Sequence, residues 1–215
     1  MRYIVLDTET TGLDPDDGHK IIEIGCIEIF NRIVTDNTFH KYINPEREID
    51  IEASKVHGLT YNNLKDKPLF KDIYQEFLTY IGDAPLIIHN APFDIGFLKK
   101  EYSLMNEKKD FLKNDIIDSL KLARKISPGK KNTLDALCER YSIDNSDRTH
   151  HGALLDAKLL AFVYLKMTIG QGDFNNLSLD ESITKTYKQI IGDDFKIIEP
   201  TDSEKTLHNE YFKDI

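Results

Sequence analysis

The apolar positions along the chain predict short strands first and helices later. Tyr3 to Leu6 reads as a buried strand, and Ile21 to Phe30 (IIEIGCIEIF), broken by Glu23 and Glu28, as a long second one. Thr38 to Ile43 predicts a third, and three strands joined by short loops imply antiparallel pairing. Between Pro68 and Gly82, the positions Phe70, Ile73, Tyr74, Phe77, Leu78 and Ile81 keep three-and-four spacing, which predicts an amphipathic helix closed by glycine. Leu86 to Ile88 is a short buried strand, Ile95 to Tyr102 a helix, and Asp115 to Asp118 a further strand end. Two helices follow, Ser119 to Ile126 and Thr133 to Tyr141, separated by the Pro128-Gly129 breaker. Gly152 to Met167 (GALLDAKLLAFVYLKM) is the strongest helical pattern. Past Gly170-Gln171-Gly172 the chain turns polar and acidic. This order predicts an α/β fold with a mixed sheet over residues 1–171 and an appended tail over 172–215.

Composition narrows the class. With 215 residues, 40% of them apolar and 21 of them Phe or Tyr, the chain can fill the core of one generous domain. Its apolar runs are too short to span a bilayer, and its first residues lack the apolar region of a signal peptide. Cys26 and Cys138 stand far apart without C-x-x-C spacing, which predicts buried, reduced thiols in a cytoplasmic protein. A net charge of −9 argues against gripping nucleic acid by bulk electrostatics. That charge is uneven. Residues 121–148 carry seven Lys and Arg against four acids, whereas residues 171–215 carry ten acids against five lysines.

Candidate chemistry begins at Asp7 and Glu9, which stand two apart and so project from one face of a strand. Two carboxylates about 4 Å apart repel by roughly 4 kcal/mol at an effective dielectric near 20. Either one keeps its proton or a cation lies between them, unless the pair is a solvated strand end. Asp94 stands where a strand passes into a helix, as an N-cap or as a ligand. Asp156, one turn into the most apolar helix, must reach a rim or a partner. His151 precedes that helix, and its neighbour His150 reads as a surface residue. Together the four acids offer the oxygen ligands that Mg2+ or Mn2+ prefers, and an imidazole that titrates near neutral pH would complete a hydrolytic site. No cysteine or paired-histidine spacing suits zinc.

D-T-E-T-T-G at 7–12, H-N-A-P-F-D at 89–94 and H-G-A-L-L-D at 151–156 resemble the three exonuclease motifs of the DEDDh family. The last has the His-x4-Asp spacing of the histidine branch. V-H-G-L-T at 56–60 and the stretches 123–138 and 148–158 resemble the replicative proofreading members of that family. The likeness runs along residues 1–171 and more faintly into the tail.

The resemblance implies a ribonuclease-H-like fold, a mixed five-stranded sheet flanked by helices, and a two-metal 3′→5′ exonuclease acting on DNA 3′ ends. It implies that Asp7, Glu9, Asp94 and Asp156 hold two divalent ions, Mg2+ or Mn2+, with His151 as general base. Thr8, Thr10 and Gly12 are expected to offer backbone or hydroxyl groups to the terminal nucleotide, and His57 to lie beside the 3′ end. His89 and Phe93 are expected to flank the metal site. Turn formation for Gly12 and packing for Phe93 are the alternatives. Asp118, before Ser119-Leu120, is expected to be an N-cap and not a fifth ligand.

The tail from Ile183 to Ile215 resembles the segment by which such subunits bind the polymerase catalytic (alpha) subunit. Gln171 stands where the family can carry a sliding-clamp contact, although the apolar pair expected after the glutamine is missing. Tethering of this kind would supply effective concentration in place of a basic surface. A free-standing nuclease trimming RNA or single-stranded DNA, and a non-catalytic replisome subunit, are the competing readings. The second would show lost metal ligands, and all five positions are present.

Overall fold

The computed structural model describes residues 1–105, 112–146 and 150–169. Strands β1 (Arg2–Thr10), β2 (Ile21–Phe30) and β3 (Ile33–Tyr42) form an antiparallel meander, and β4 (Leu86–Ile88) and β5 (Ile116–Asp118) add in parallel beyond β1. The sheet order is β3-β2-β1-β4-β5, the mixed five-stranded sheet that was expected. Parallel pairs need crossovers, and helices supply them. Helices α1 (Ile51–His57), α2 (Tyr61–Leu64) and α3 (Phe70–Ile81) lie between β3 and β4 in the chain. Helix α4 (Ala91–Leu104) joins β4 to β5, and α5 (Ser119–Ile126), α6 (Leu134–Arg140) and α7 (Ala153–Met167) follow.

Strand alternation divides the interior into two cores. Ile4 and Leu6 share one with Phe77 of α3 and Phe97 of α4, and Val5 shares the other with Leu137 of α6 and Ala157 and Leu160 of α7. The described residues belong to one compact unit, Met1–Ile169. The tail and the expected boundary at residues 171 and 172 lie outside the described residues.

Several elements differ in extent from the sequence pattern, each for a physical reason. β1 does not stop at Leu6. β2 pairs with it from Arg2↔Phe30 to Thr10↔Ile21, so both acids sit inside the strand ladder, whose register shifts at a bulge between Glu9 and Thr10. α4 begins four residues before Ile95, because Pro92 occupies the first turn, where its missing N–H costs no bond. Asn90, at a φ of 66°, therefore holds the cap position, and Asp94 lies within the helix instead of capping it. Asp94 and Glu101 take two buried positions on that helix, which hid its stripe. In α1 only His57 is buried, so no apolar period marks the helix, which His57 closes. Asp118 does cap α5, accepting from the N–H groups of Leu120 at 3.0 Å and Lys121 at 3.1 Å. Cys26 and Cys138 are free and buried, and burial pushes the Cys26 thiol up.

Candidate active site

The register of β1 and β2 sets the floor of the site. Asp7 faces Gly25 and Glu9 faces Glu23 across the strand pair, and directly opposed residues share a face. That face is the one α7 covers, since Val5 and Ile27, two residues further along each strand, join the α7 core. Gly25 lets the helix come close. A Cβ at Gly25 would run into the Leu154 amide nitrogen and the Ala153 carbonyl, so the first turn of α7 rests directly on β2.

This approach delivers Asp156, buried in the first turn of α7, and His151 just before it. Ligand atoms of Glu9, His151 and Asp156 all lie within 4.8 Å of one another, and Nδ1 of His151 is 3.3 Å from Asp156 Oδ2. Asp7, His89, His151 and Asp156 line one open cleft of about 870 Å3. The donor set fits a hard divalent cation. It is rich in carboxylate oxygen, includes no thiolate among the described residues, and converges like charges that a cation would relieve.

Asp94 reaches the same strand from the other side of the sheet. Thr8, the residue between Asp7 and Glu9, donates its hydroxyl to Asp94 Oδ1 at 2.7 Å. Asp94 is thereby fastened to the segment that carries the other two acids, but it is outside the lining of the cleft. Burial pushes its carboxyl up to about 7, against the downward pull of the hydrogen bond from Thr8. A cation beside this carboxyl would favour its ionised form and so offset the effect of burial.

The expected substrate-binding residues fall into three groups. The hydroxyls of Thr8 and Thr10 are engaged within the protein, Thr10 Oγ1 donating to the Gly12 carbonyl at 2.6 Å. A Cβ at Gly12 would meet the His19 ring, and His19 in turn is 3.0 Å from Thr11 Oγ1. His57 is buried and accepts the Leu59 N–H at Nδ1, 3.1 Å away. Its Nε2, beside the Thr10 carbonyl, makes no hydrogen bond of normal geometry among the described residues, and burial pulls its pKa down. His151 is joined to this turn, its backbone N–H donating to the Val56 carbonyl at 3.1 Å. His89 lines the cleft, with Nδ1 3.0 Å from Ser119 Oγ. Phe93 packs on Phe97, with ring centroids 5.0 Å apart, and is not part of the cleft lining.

Three supporting residues escaped the sequence reading. Glu23 is buried opposite Glu9, a like-charge pairing that disfavours the ladder. His40 of β3 meets it at 2.7 Å from Nε2 to Glu23 Oε1. The signal was the register itself, which aligns Gly25 with His40. Gly25 is the third, and only the helix above it reveals why it must be glycine.

Comparison with known proteins adds the family. The family model described as "Exonuclease" matches residues 4–164. The DNA polymerase III subunit epsilon of Buchnera aphidicola subsp. Schizaphis graminum is 50% identical, over 99% of this chain and 96% of its own. The subunit of the same name from Rickettsia felis is 47% identical over 100% of this chain and 97% of its own. The Salmonella typhimurium counterpart is 57% identical over 79% of this chain and 72% of its own. Among solved structures, exonuclease X in complex with 5′-overhanging duplex DNA matches with a TM-score of 0.65 at 25% identity, over 79% of this chain and 93% of that one. The nuclease domain of 3′hExo, a DEDDh family member bound to rAMP, has the same fold, with a TM-score of 0.68 at 20% identity over 80% of this chain and 92% of that one.

Proposed function

The chain belongs to the exonuclease family, in its DNA polymerase III epsilon branch, and from that premise we propose which of its residues carry the reaction. Its activity is 3′→5′ exonucleolytic proofreading. Asp7, Glu9, Asp94 and Asp156 hold two divalent ions, Mg2+ or Mn2+, and His151 is the general base. When bound, the ions supply Lewis-acid stabilisation to the attacking and leaving oxygens of one phosphodiester.

The chain's own residues do the rest. His151, 43% exposed at its side chain and set by Val56 and Asp156, receives the proton of the attacking water. Asp156 steadies the imidazolium that forms. Thr8, from its place between the two strand acids, ties Asp94 to β1 and so keeps the ligand set together. Thr10 and Gly12 shape the turn that receives the terminal nucleotide, and His57 offers the Nε2 edge beside that turn. His89 borders the reacting phosphate, and Phe93 packs on Phe97 one turn along α4. The observation that carries this reading is the convergence of Glu9, His151 and Asp156 within 4.8 Å.

The chain works within a DNA polymerase III assembly, as the names of its relatives imply. Its attachment to the alpha subunit is assigned to residues 172–215 on their sequence, and a sliding-clamp contact to the region of Gln171. No helix among the described residues is long and apolar enough to cross a membrane, and the expected compartment is the cytoplasm where replication occurs.

The test compares a mispaired primer-template with short RNA as substrates, beside pulldown of the full chain and of a chain cut after residue 172. Preference for the DNA end, with polymerase captured by the full chain alone, is the expected result. Preference for short RNA without capture of polymerase would favour a free-standing trimming enzyme.

A further inference from the structure

The cleft that holds Asp7, His151 and Asp156 is also lined by Arg124, Pro128, Gly129, Lys130 and Asn132, from α5 and the turn leading to α6. This second wall has the opposite charge. Arg124 and Lys130 are exposed, and no carboxylate pairs with either among the described residues. Of the neighbouring cations, Lys121 lies 3.9 Å from Asp118 and Arg140 donates to Asn132 Oδ1 and to the Lys131 carbonyl, while Lys125 and Lys131 are exposed but do not line the cleft. Asp135, the acid on this wall, accepts from Asn145 at 3.3 Å. Two uncommitted cations thus border a carboxylate site in a protein of net charge −9.

The wall is built as well as charged. Asn132 is buried, and its Nδ2 donates to the carbonyls of Lys130 at 3.0 Å and Ser127 at 3.3 Å, while Arg140 holds its Oδ1 at 2.9 Å. The backbone that carries Lys130 is therefore fixed before any ligand arrives. Arg124 lines the same cleft as His89, on the wall opposite the acids. At Gly129 the backbone has a φ of 75°, and nothing lies within 4 Å of where a side chain would be. The turn leaves open space there.

We propose that Arg124 and Lys130 bind the phosphodiester groups immediately 5′ of the scissile bond, so that the turn between α5 and α6 is the track along which a single strand enters the site. The inference rests on the exonuclease reading above. Ions held by the acids would neutralise only the scissile phosphate. The next phosphates meet a carboxylate-rich site, and counter-charges along the entering strand are what the cleft otherwise lacks. Arg124 suits a bidentate grip on one phosphate, and Lys130 a point charge on its neighbour. At about 870 Å3 the cleft reaches the upper part of the roughly 300–1,000 Å3 range that holds one drug-sized ligand, leaving room beyond a terminal nucleotide.

The experiment compares the wild-type full chain with Arg124→Ala, Lys130→Ala and the double variant on two substrates. One is single-stranded oligothymidylate; the other is the p-nitrophenyl ester of thymidine 5′-monophosphate, which has no upstream phosphate. The double variant should raise KM for the oligonucleotide about tenfold or more. It should cleave the ester at the wild-type rate. The slope of log(kcat/KM) against log salt should flatten by about 0.7 for each cation removed. Lys130→Arg should retain the wild-type salt slope. Unchanged KM and salt slope in the double variant, with the wild type active on both substrates, would overturn the track while leaving the exonuclease reading intact. Equal loss on both substrates would also overturn it, by assigning the wall to the catalytic frame. A wild type inactive on both would refute the exonuclease reading itself.

Discussion

Gly25 on β2 lies directly opposite Asp7 on β1, and the backbone of Ala153 and Leu154 occupies the space where a side chain at Gly25 would stand. The distance between the strand acids and the helix acid is thus set by a missing methyl group. Gly25→Ala should push α7 outward, at a cost of about 1–3 kcal/mol for overpacking. A displacement near 1 Å should also lower the exonuclease rate on the order of 100-fold. Denaturant midpoints and rates taken where the variant is fully folded separate the two effects. A folded variant with the wild-type rate would show that α7 can be moved without consequence.

His151→Ala should lose about 10²–10⁴ in rate, the range for removing a general base, and retain the circular dichroism of the wild type. Asp7→Ala should be equally folded and at least as impaired. Excess EDTA should abolish the wild-type activity, with Mg2+ or Mn2+ restoring it. Undiminished digestion of a 3′-single-stranded oligonucleotide by either variant would remove the mechanism; activity in EDTA would remove the metal assignment alone.

Glu23 is buried opposite Glu9 and is met by His40 at 2.7 Å. His40→Ala leaves that carboxylate without its imidazole, at an expected cost of about 1–3 kcal/mol in urea unfolding. Adding Glu23→Gln should recover part of the loss, because the amide carries no charge to oppose Glu9. If both variants unfold with the wild type, the pair has no structural role.

Arg2 of β1 ties Glu28 of β2 to the end of α3, donating to Glu28 and to the carbonyls of Tyr80 at 2.7 Å and Ile81 at 3.1 Å. The hydrogen bond from Arg2 holds the Glu28 carboxyl below its ordinary value of 4.5. A folded-state pKa below the unfolded one stabilises the fold above the unfolded pKa, and that stability is lost as pH falls through the folded pKa. Glu28→Gln should therefore destabilise by about 1 kcal/mol at neutral pH and progressively less below pH 4.5. A difference independent of pH would contradict the ion-pair account.

Much of the architecture was legible because packing imposes periodicity. Ile21–Phe30, Leu86–Ile88 and Ser119–Ile126 appear where their patterns placed them. Legibility failed where side chains served something other than the core. Asp94 takes a buried position in the first turn of α4 where an apolar residue would have marked the stripe, so the helix was read as beginning only at Ile95. α1 buries His57 alone and offers no period at all. On β3, Ile33 and most of its neighbours up to Thr38 are exposed or half-exposed, so the strand was read several residues too short.

For the site, the residue types and spacings of Asp7, Glu9, Asp94, His151 and Asp156 were enough to nominate a divalent-metal hydrolase, since few chemistries need four acids and one imidazole at the ends of apolar elements. What linear order could not decide was distance. Only the strand register opposes Glu23 to Glu9, only the bare Gly25 lets α7 bring Asp156 and His151 to the strand, and only the turn held by Asn132 places Arg124 and Lys130 on the same cleft. Local chemistry is written in neighbouring residues, but these approaches join positions up to about 150 residues apart, and close packing alone determines them.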